Sequence, residues 1–109
     1  MTTMQDLVDA GVEVILYDDR KIKRNSMKTG TYDDNKLILV HSVGSSDPES
    51  FQETMKTDAL KLQNSGVGVW YEQGGRRGKG GRELSIWIMD RPEVIREAER
   101  VLGRRIGKR

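Results

Sequence analysis

Two alternating stretches, Val67-Gly68-Val69-Trp70-Tyr71-Glu72-Gln73 and Glu83-Leu84-Ser85-Ile86-Trp87-Ile88-Met89, flank the glycine-rich run Gly74-Gly75-Arg76-Arg77-Gly78-Lys79-Gly80-Gly81-Arg82. Side chains alternate between the two faces of a strand, so each stretch carries one apolar set destined for a core. Val67, Val69 and Tyr71 form one set; Leu84, Ile86 and Ile88 form the other. Both sets need the same face, so the numbers of paired residues must sum to an odd value. A tip centred between Gly78 and Lys79 fixes that sum at 157 and sets Trp70 opposite Trp87. Strands are expected over 67–72 and 83–89. Gly68, Glu72, Ser85 and Met89 then share the face of the two indoles.

A cross-strand aromatic pair stabilises a sheet by roughly 0.2–1 kcal/mol. Leaving two such large side chains wet forfeits more than that, at roughly 1.5–3 kcal/mol for each one not buried. Something should therefore cover the indoles. The N-terminal helix or the stretch 20–35 is the structural candidate, and a binding partner is the functional one.

Working outward, Asp90-Arg91-Pro92-Glu93 reads as a helix start, with Asp90 as cap and Glu93 at capping-box spacing. Val94, Ile95, Ala98, Val101 and Leu102 follow at helical intervals, and Gly103 closes the helix. Upstream, a helix over about 48–64 places Phe51, Met55, Ala59 and Leu62 on one stripe, with Asp47 as cap and Pro48 at its first position. Lys36 to Val43 is nearly all apolar and reads as a central strand. Val12, Val14 and Leu16 alternate with Glu13, Ile15 and Tyr17 as a first strand, after a short helix over 3–10 that Gly11 stops. The expected fold is α+β in two layers, a four-stranded, largely antiparallel sheet with two helices on one face, in the order (α)ββαββα.

The chain's 109 residues suit one domain, 1–109, with 35% hydrophobic and 33% charged residues pointing to a thin core. Within it, 20–35 reads as a basic, turn-rich loop, 74–82 as a mobile basic hairpin tip, and 103–109 as a basic C-terminal tail. With no cysteine, a disulfide framework and a thiolate metal site are excluded. The single histidine, His41, cannot build a multi-histidine site. No apolar run reaches the ~20 residues that span a bilayer, and the first residues lack the pattern of a secretory signal. A cytoplasmic, reducing compartment fits.

Net charge is only +2, yet residues 20–28, 74–82 and 100–109 hold 14 of the 19 cations and none of the 17 acids. Local potential follows the distribution of charge and not its sum. The reading this favours is a small nucleic-acid-binding module for DNA or RNA. Arg76, Arg77, Lys79 and Arg82 on the glycine-rich arm would clamp phosphates, with Trp70 and Trp87 as a stacking platform. Arg20, Lys21, Lys23, Arg24, Arg104 and Arg105 would add contacts.

The alternative is a non-enzymatic protein-interaction or assembly component, such as a viral structural protein or a small inhibitor, whose aromatics dock a protein partner or a second copy. A third reading takes Asp18-Asp19 and Asp33-Asp34, near Tyr17 and Glu72, as magnesium ligands of a nuclease. Against it, Asp-Asp beside Asn is ordinary turn chemistry. His41 lies in an apolar strand without an evident nucleophile and reads as a histidine satisfied by a hydrogen bond. No catalytic residue, metal site or cofactor is assigned.

Overall fold

The computed structural model describes residues 3–14, 22–44, 46–74 and 83–107. The elements in chain order are α1 (Met4–Asp9), β1 (Lys23–Arg24), β2 (Thr29–Tyr32), β3 (Asn35–Gly44), α2 (Glu49–Asn64), β4 (Trp70–Gly74), β5 (Glu83–Met89) and α3 (Pro92–Leu102). All strand pairings are antiparallel, in the spatial order β1-β2-β3-β5-β4. The fold is α+β as the sequence suggests, but the sheet has five strands among the described residues, not four. The added strands come from 20–35, expected to be a loop. There, β1 and β2 form a hairpin, and a two-residue turn at Asp33-Asp34 leads into β3, with Tyr32 paired to Asn35. Asp33 takes φ 54°, the left-handed conformation that Asp tolerates in such turns. Of the expected first strand, Val12–Val14 lie in no strand, and the remainder falls outside the described residues.

The β4–β5 register follows the parity argument: Trp70 faces Trp87, Tyr71 faces Ile86, and Glu72 faces Ser85. One face of the sheet, with Tyr71, Leu84, Ile86 and Ile88, joins Met55, Ala59 and Leu62 of α2 and Ala98 of α3 in the main core. The other face is concave. Ile22, Leu37 and Trp87 are buried there, with Tyr32, Leu39, Trp70 and Met89 packed around them. The sheet curls so that the β1–β2 hairpin lies over the indoles. Of the two expected structural covers, the described part of 20–35 lies on Trp87, which is fully buried, while Trp70 is half-buried.

A β-bulge makes β3 serve both faces. Leu39 pairs with Trp87 but His41 with Ile86, so Val40 is the inserted residue. Before the bulge Leu37 and Leu39 face the concave side; after it Ser42 does, while His41 and Val43 turn toward the helices.

Three helix-level expectations need correction. Asp47 does not cap α2: the N-cap position is Pro48, and the Asp47 carboxylate instead accepts the Gly44 N–H at 2.8 Å. Asp90 does not cap α3 either, because Arg91 holds that place in extended conformation with Pro92 opening the helix. Phe51 is 54% exposed, and Gln52 is buried in its stead, donating to the Asp47 carbonyl at 3.0 Å. Of the expected tail 103–109, residues 103–107 are described and pack on the fold. Ile106 is buried in the main core, and Gly107 lies so close to Ile38 that a Cβ would sit 2.2 Å from its Cδ1.

Gly30 permits the curl. A Cβ there would meet the Lys23 carbonyl oxygen at 2.9 Å and the Trp87 ring at 3.5 Å. Gly30→Ala should therefore lower stability by about 1–3 kcal/mol, because backbone must move to admit the methyl. Gly68→Ala, where a Cβ would meet only the Trp70 ring at 3.8 Å, should change little. Urea unfolding of the two variants checks the contrast.

Candidate functional site

The concave face ends in a polar cluster built on Arg24. Its Nη2 donates to Glu72 Oε1 at 3.0 Å, to Glu83 Oε1 at 3.3 Å and to Ser85 Oγ at 3.4 Å. The guanidinium carbon stands 5.2 Å from the centroid of the Trp87 ring, a cation–π contact. Trp87 Nε1 donates to Glu72 Oε1 at 3.1 Å, Ser42 Oγ donates to Glu83 Oε2, and Ser85 Oγ donates to Ser42 Oγ at 3.2 Å. Each member arrives by strand register. Glu72, directly opposite Ser85, shares the face of Trp87, and Ser42 reaches that face because of the bulge.

Glu72 and Glu83 are both buried, at 4% and 7% exposure, and share one guanidinium. Burial pushes the Glu72 carboxyl above its usual range, and the nearby Glu83 charge adds to the rise. Arg24 and the Trp87 indole oppose it without cancelling it. The cluster is a hydrogen-bonded network, and among the described residues no buried side-chain polar atom is left without a partner.

A second cluster lies between the helices and the sheet. Asp58 of α2 is 3% exposed and accepts two hydrogen bonds from Arg104, at 3.2 and 2.5 Å, while His41 Nδ1 sits 3.2 Å from its Oδ2. Burial alone would raise the Asp58 carboxyl. Hydrogen bonds from His41 and Arg104, with the Arg104 charge, outweigh it and hold the group below its ordinary value. His41 is thus a hydrogen-bonded structural histidine, and Arg104 is a bidentate latch for the segment after α3.

These positions redraw the residues singled out from sequence. Trp87 is buried under Ile22 and Arg24 and has no face open to a base, so it is an internal anchor and not a platform. Trp70 is half-buried. Arg24 and Arg104 are engaged in internal ion pairs. Lys23 and Arg105 are exposed. Arg76, Arg77, Lys79, Arg82, Arg20 and Lys21 lie outside the described residues, as do Tyr17 and the Asp18-Asp19 pair. Asp33 and Asp34 are turn residues at the β2–β3 corner, and among the described residues no group of three His, Asp or Glu could hold a metal ion.

Sequence reasoning missed the cluster roles of Glu83, Ser42 and Asp58. For Glu72 the signal was present, since the pairing sum that opposes Trp70 to Trp87 also puts Glu72 beside them.

Asp58 and Glu72 predict opposite acid responses. A lowered pKa contributes stability that is present above the ordinary carboxylate value and is lost as pH falls through the folded-state value. For Asp58 that loss falls below about pH 4. Asp58→Asn should cost about 3 kcal/mol near neutrality and flatten the acid limb of a stability–pH curve. A raised pKa works the other way. Glu72 favours the fold below its ordinary value, and that advantage is lost as pH rises through its folded-state value. Glu72→Gln keeps an acceptor for the Trp87 indole and removes a buried charge. It should therefore cost under about 1.5 kcal/mol, well below the cost of Arg24→Ala, which takes the shared cation away from two buried carboxylates. Chemical denaturation across pH 2–8 checks both, and a Glu72→Gln loss equal to that of Arg24→Ala would contradict the assignment.

No family model, curated protein or solved structure matches this chain.

Proposed function

We propose that the protein is a small nucleic-acid-binding module whose contact element is the basic arm between β4 and β5. The observation that carries this reading is the run 74–82, with Arg76, Arg77, Lys79 and Arg82, five glycines and no acid. Its roots, Gly74 and Glu83, are direct cross-strand partners. That pairing sets the two points at which the run leaves and rejoins the sheet. Its glycines let the backbone approach phosphate closely, and guanidinium forks match phosphate oxygens. Lys23, exposed on β1, is a described cation of the 20–28 segment that would add a contact.

Trp87, Arg24 and Arg104 drop out of the contact set under this reading and act through the fold. The affinity is then electrostatic in origin and weakly selective for sequence.

Replacing the four arm cations with serine should abolish most oligonucleotide binding while leaving unfolding unchanged. In the wild type, log affinity should fall with log salt at roughly 0.7–0.9 per phosphate neutralised, and the variant should lose roughly 3 from that slope. Fluorescence anisotropy with single- and double-stranded oligonucleotides at two or more salt concentrations measures both. Absence of binding at low salt, or binding that survives the four substitutions, overturns the reading.

A further inference from the structure

Away from the arm, a pocket of about 710 Å³ opens between the 26–29 turn, α3 and the segment that follows it. Ile38 of β3, Ile95 of α3 and Ile106 line it. Met27 also lines it and is 84% exposed, the most of any large apolar side chain among the described residues. A knob that wet, beside an aliphatic hollow, is what an interface leaves open when its partner is missing.

The charged lining is balanced, with Lys28 and Arg105 against Asp90 and Glu99. A patch of zero net charge gives no advantage to a strongly charged partner, and it does not repel a second copy of itself. The arrangement of the charges says more than their sum. Strands β2 and β5 flank β3 on opposite sides. From the β2 side, the Lys28 carbonyl accepts the Leu39 N–H at 2.9 Å. From the β5 side, the Asp90 N–H donates to the Lys36 carbonyl at 2.8 Å. Ile38 lies between those two anchor points, which are about 10 Å apart along β3. Lys28 and Asp90 are both exposed, and among the described residues neither side chain forms an ion pair or a hydrogen bond. A cation and an anion therefore stand on either side of one apolar centre without pairing within the chain.

We propose that this pocket is the contact surface of a homodimer, a two-fold interface between two copies of the chain. In a face-to-face contact of that symmetry the axis lies in the contact plane, and each point meets the one across the axis on the other copy. An axis passing over Ile38 sets each Lys28 against the partner's Asp90. The same operation lays the 26–29 turn over the partner's α3, so Met27 enters the hollow beside Ile95 and Ile106 there. Knob, hollow and both signs of charge lie on one surface, as self-complementary association requires. The site is separate from the arm. Ile38 and Asp90 lie toward one end of β3 and β5, while Gly44, Gly74 and Glu83 lie at the other, about 20 Å away along β3. The proposal does not depend on the nucleic-acid reading.

The test is sedimentation equilibrium of the full chain from about 1 µM to about 1 mM. The mass should rise from one chain toward two and stop there, because a two-fold contact closes. Met27→Asp, Lys28→Glu and Asp90→Lys, all at exposed positions, should each weaken association roughly tenfold or more. The double variant Lys28→Glu/Asp90→Lys should recover most of that loss, since it exchanges the two charges across the axis. Circular dichroism checks the fold of each variant. Methyl NMR of the wild type on dilution needs no variant, and its shifts should centre on Met27, Ile95 and Ile106. One chain at every concentration overturns the proposal and leaves the pocket to a different ligand. So does a mass that climbs past two, association untouched by Met27→Asp, a double variant no stronger than its singles, or dilution shifts that fall elsewhere.

Discussion

The guanidinium of Arg24 joins parts of the chain that the sheet itself leaves apart. It projects from β1, one end of the strand order, and bonds Glu72 on β4, the other end, as well as Glu83 and Ser85 on β5. The curled sheet is closed here by side chains where a barrel would be closed by a backbone ladder. Closure requires a buried polar cluster, and such a cluster is tolerated only when its members are satisfied. The serines, the indole N–H and the shared guanidinium do this. The indole of Trp87 forms the apolar half of the same joint, with Arg24 over its ring and Gly30 leaving room for the hairpin backbone.

This constraint explains the distribution of small and polar residues around it. Ser42 and Ser85 lie where a larger side chain would displace the carboxylates. The bulge at Val40 turns Ser42 toward Glu83 and His41 toward Asp58, so one inserted residue feeds both polar clusters. On the helical side, the Asp58–Arg104 pair and buried Ile106 hold residues 104–106 against the core. A protein with a thin core thus uses two buried ionic joints, one on each face of the sheet. Removing one partner from such a joint is far more disruptive than the joint's net contribution would suggest.

What the sequence disclosed divides along physical lines. Period-2 alternation and the requirement that apolar sets share a face determined the β4–β5 register, including Trp70 opposite Trp87, because those forces are local to one hairpin. The helical stripe of Met55, Ala59 and Leu62 was legible for the same reason. The β1–β2 hairpin was not, because Lys23-Arg24 carries no alternation of its own and is strand only by pairing with Thr31 and Gly30. Arg24 looked like a surface cation since sequence gives no measure of sheet curl, and curl alone brings β1 over β4. Caps failed at Asp47 and Asp90 where a following proline shifted the helix start, leaving Pro48 and Arg91 at the cap positions.

The same structure separates charges that composition groups together. Arg24 and Arg104 belong to acid-free segments in sequence, yet in space each faces buried carboxylate drawn from a distant element. Their function is cohesive, and a field calculated from segment composition leaves out the carboxylates that face them. Exposed cations remain on several elements: Lys23 on β1, in register through Thr31 with Lys36 on β3, Lys61 on α2, Arg96 and Arg100 on α3, and Arg105 after it.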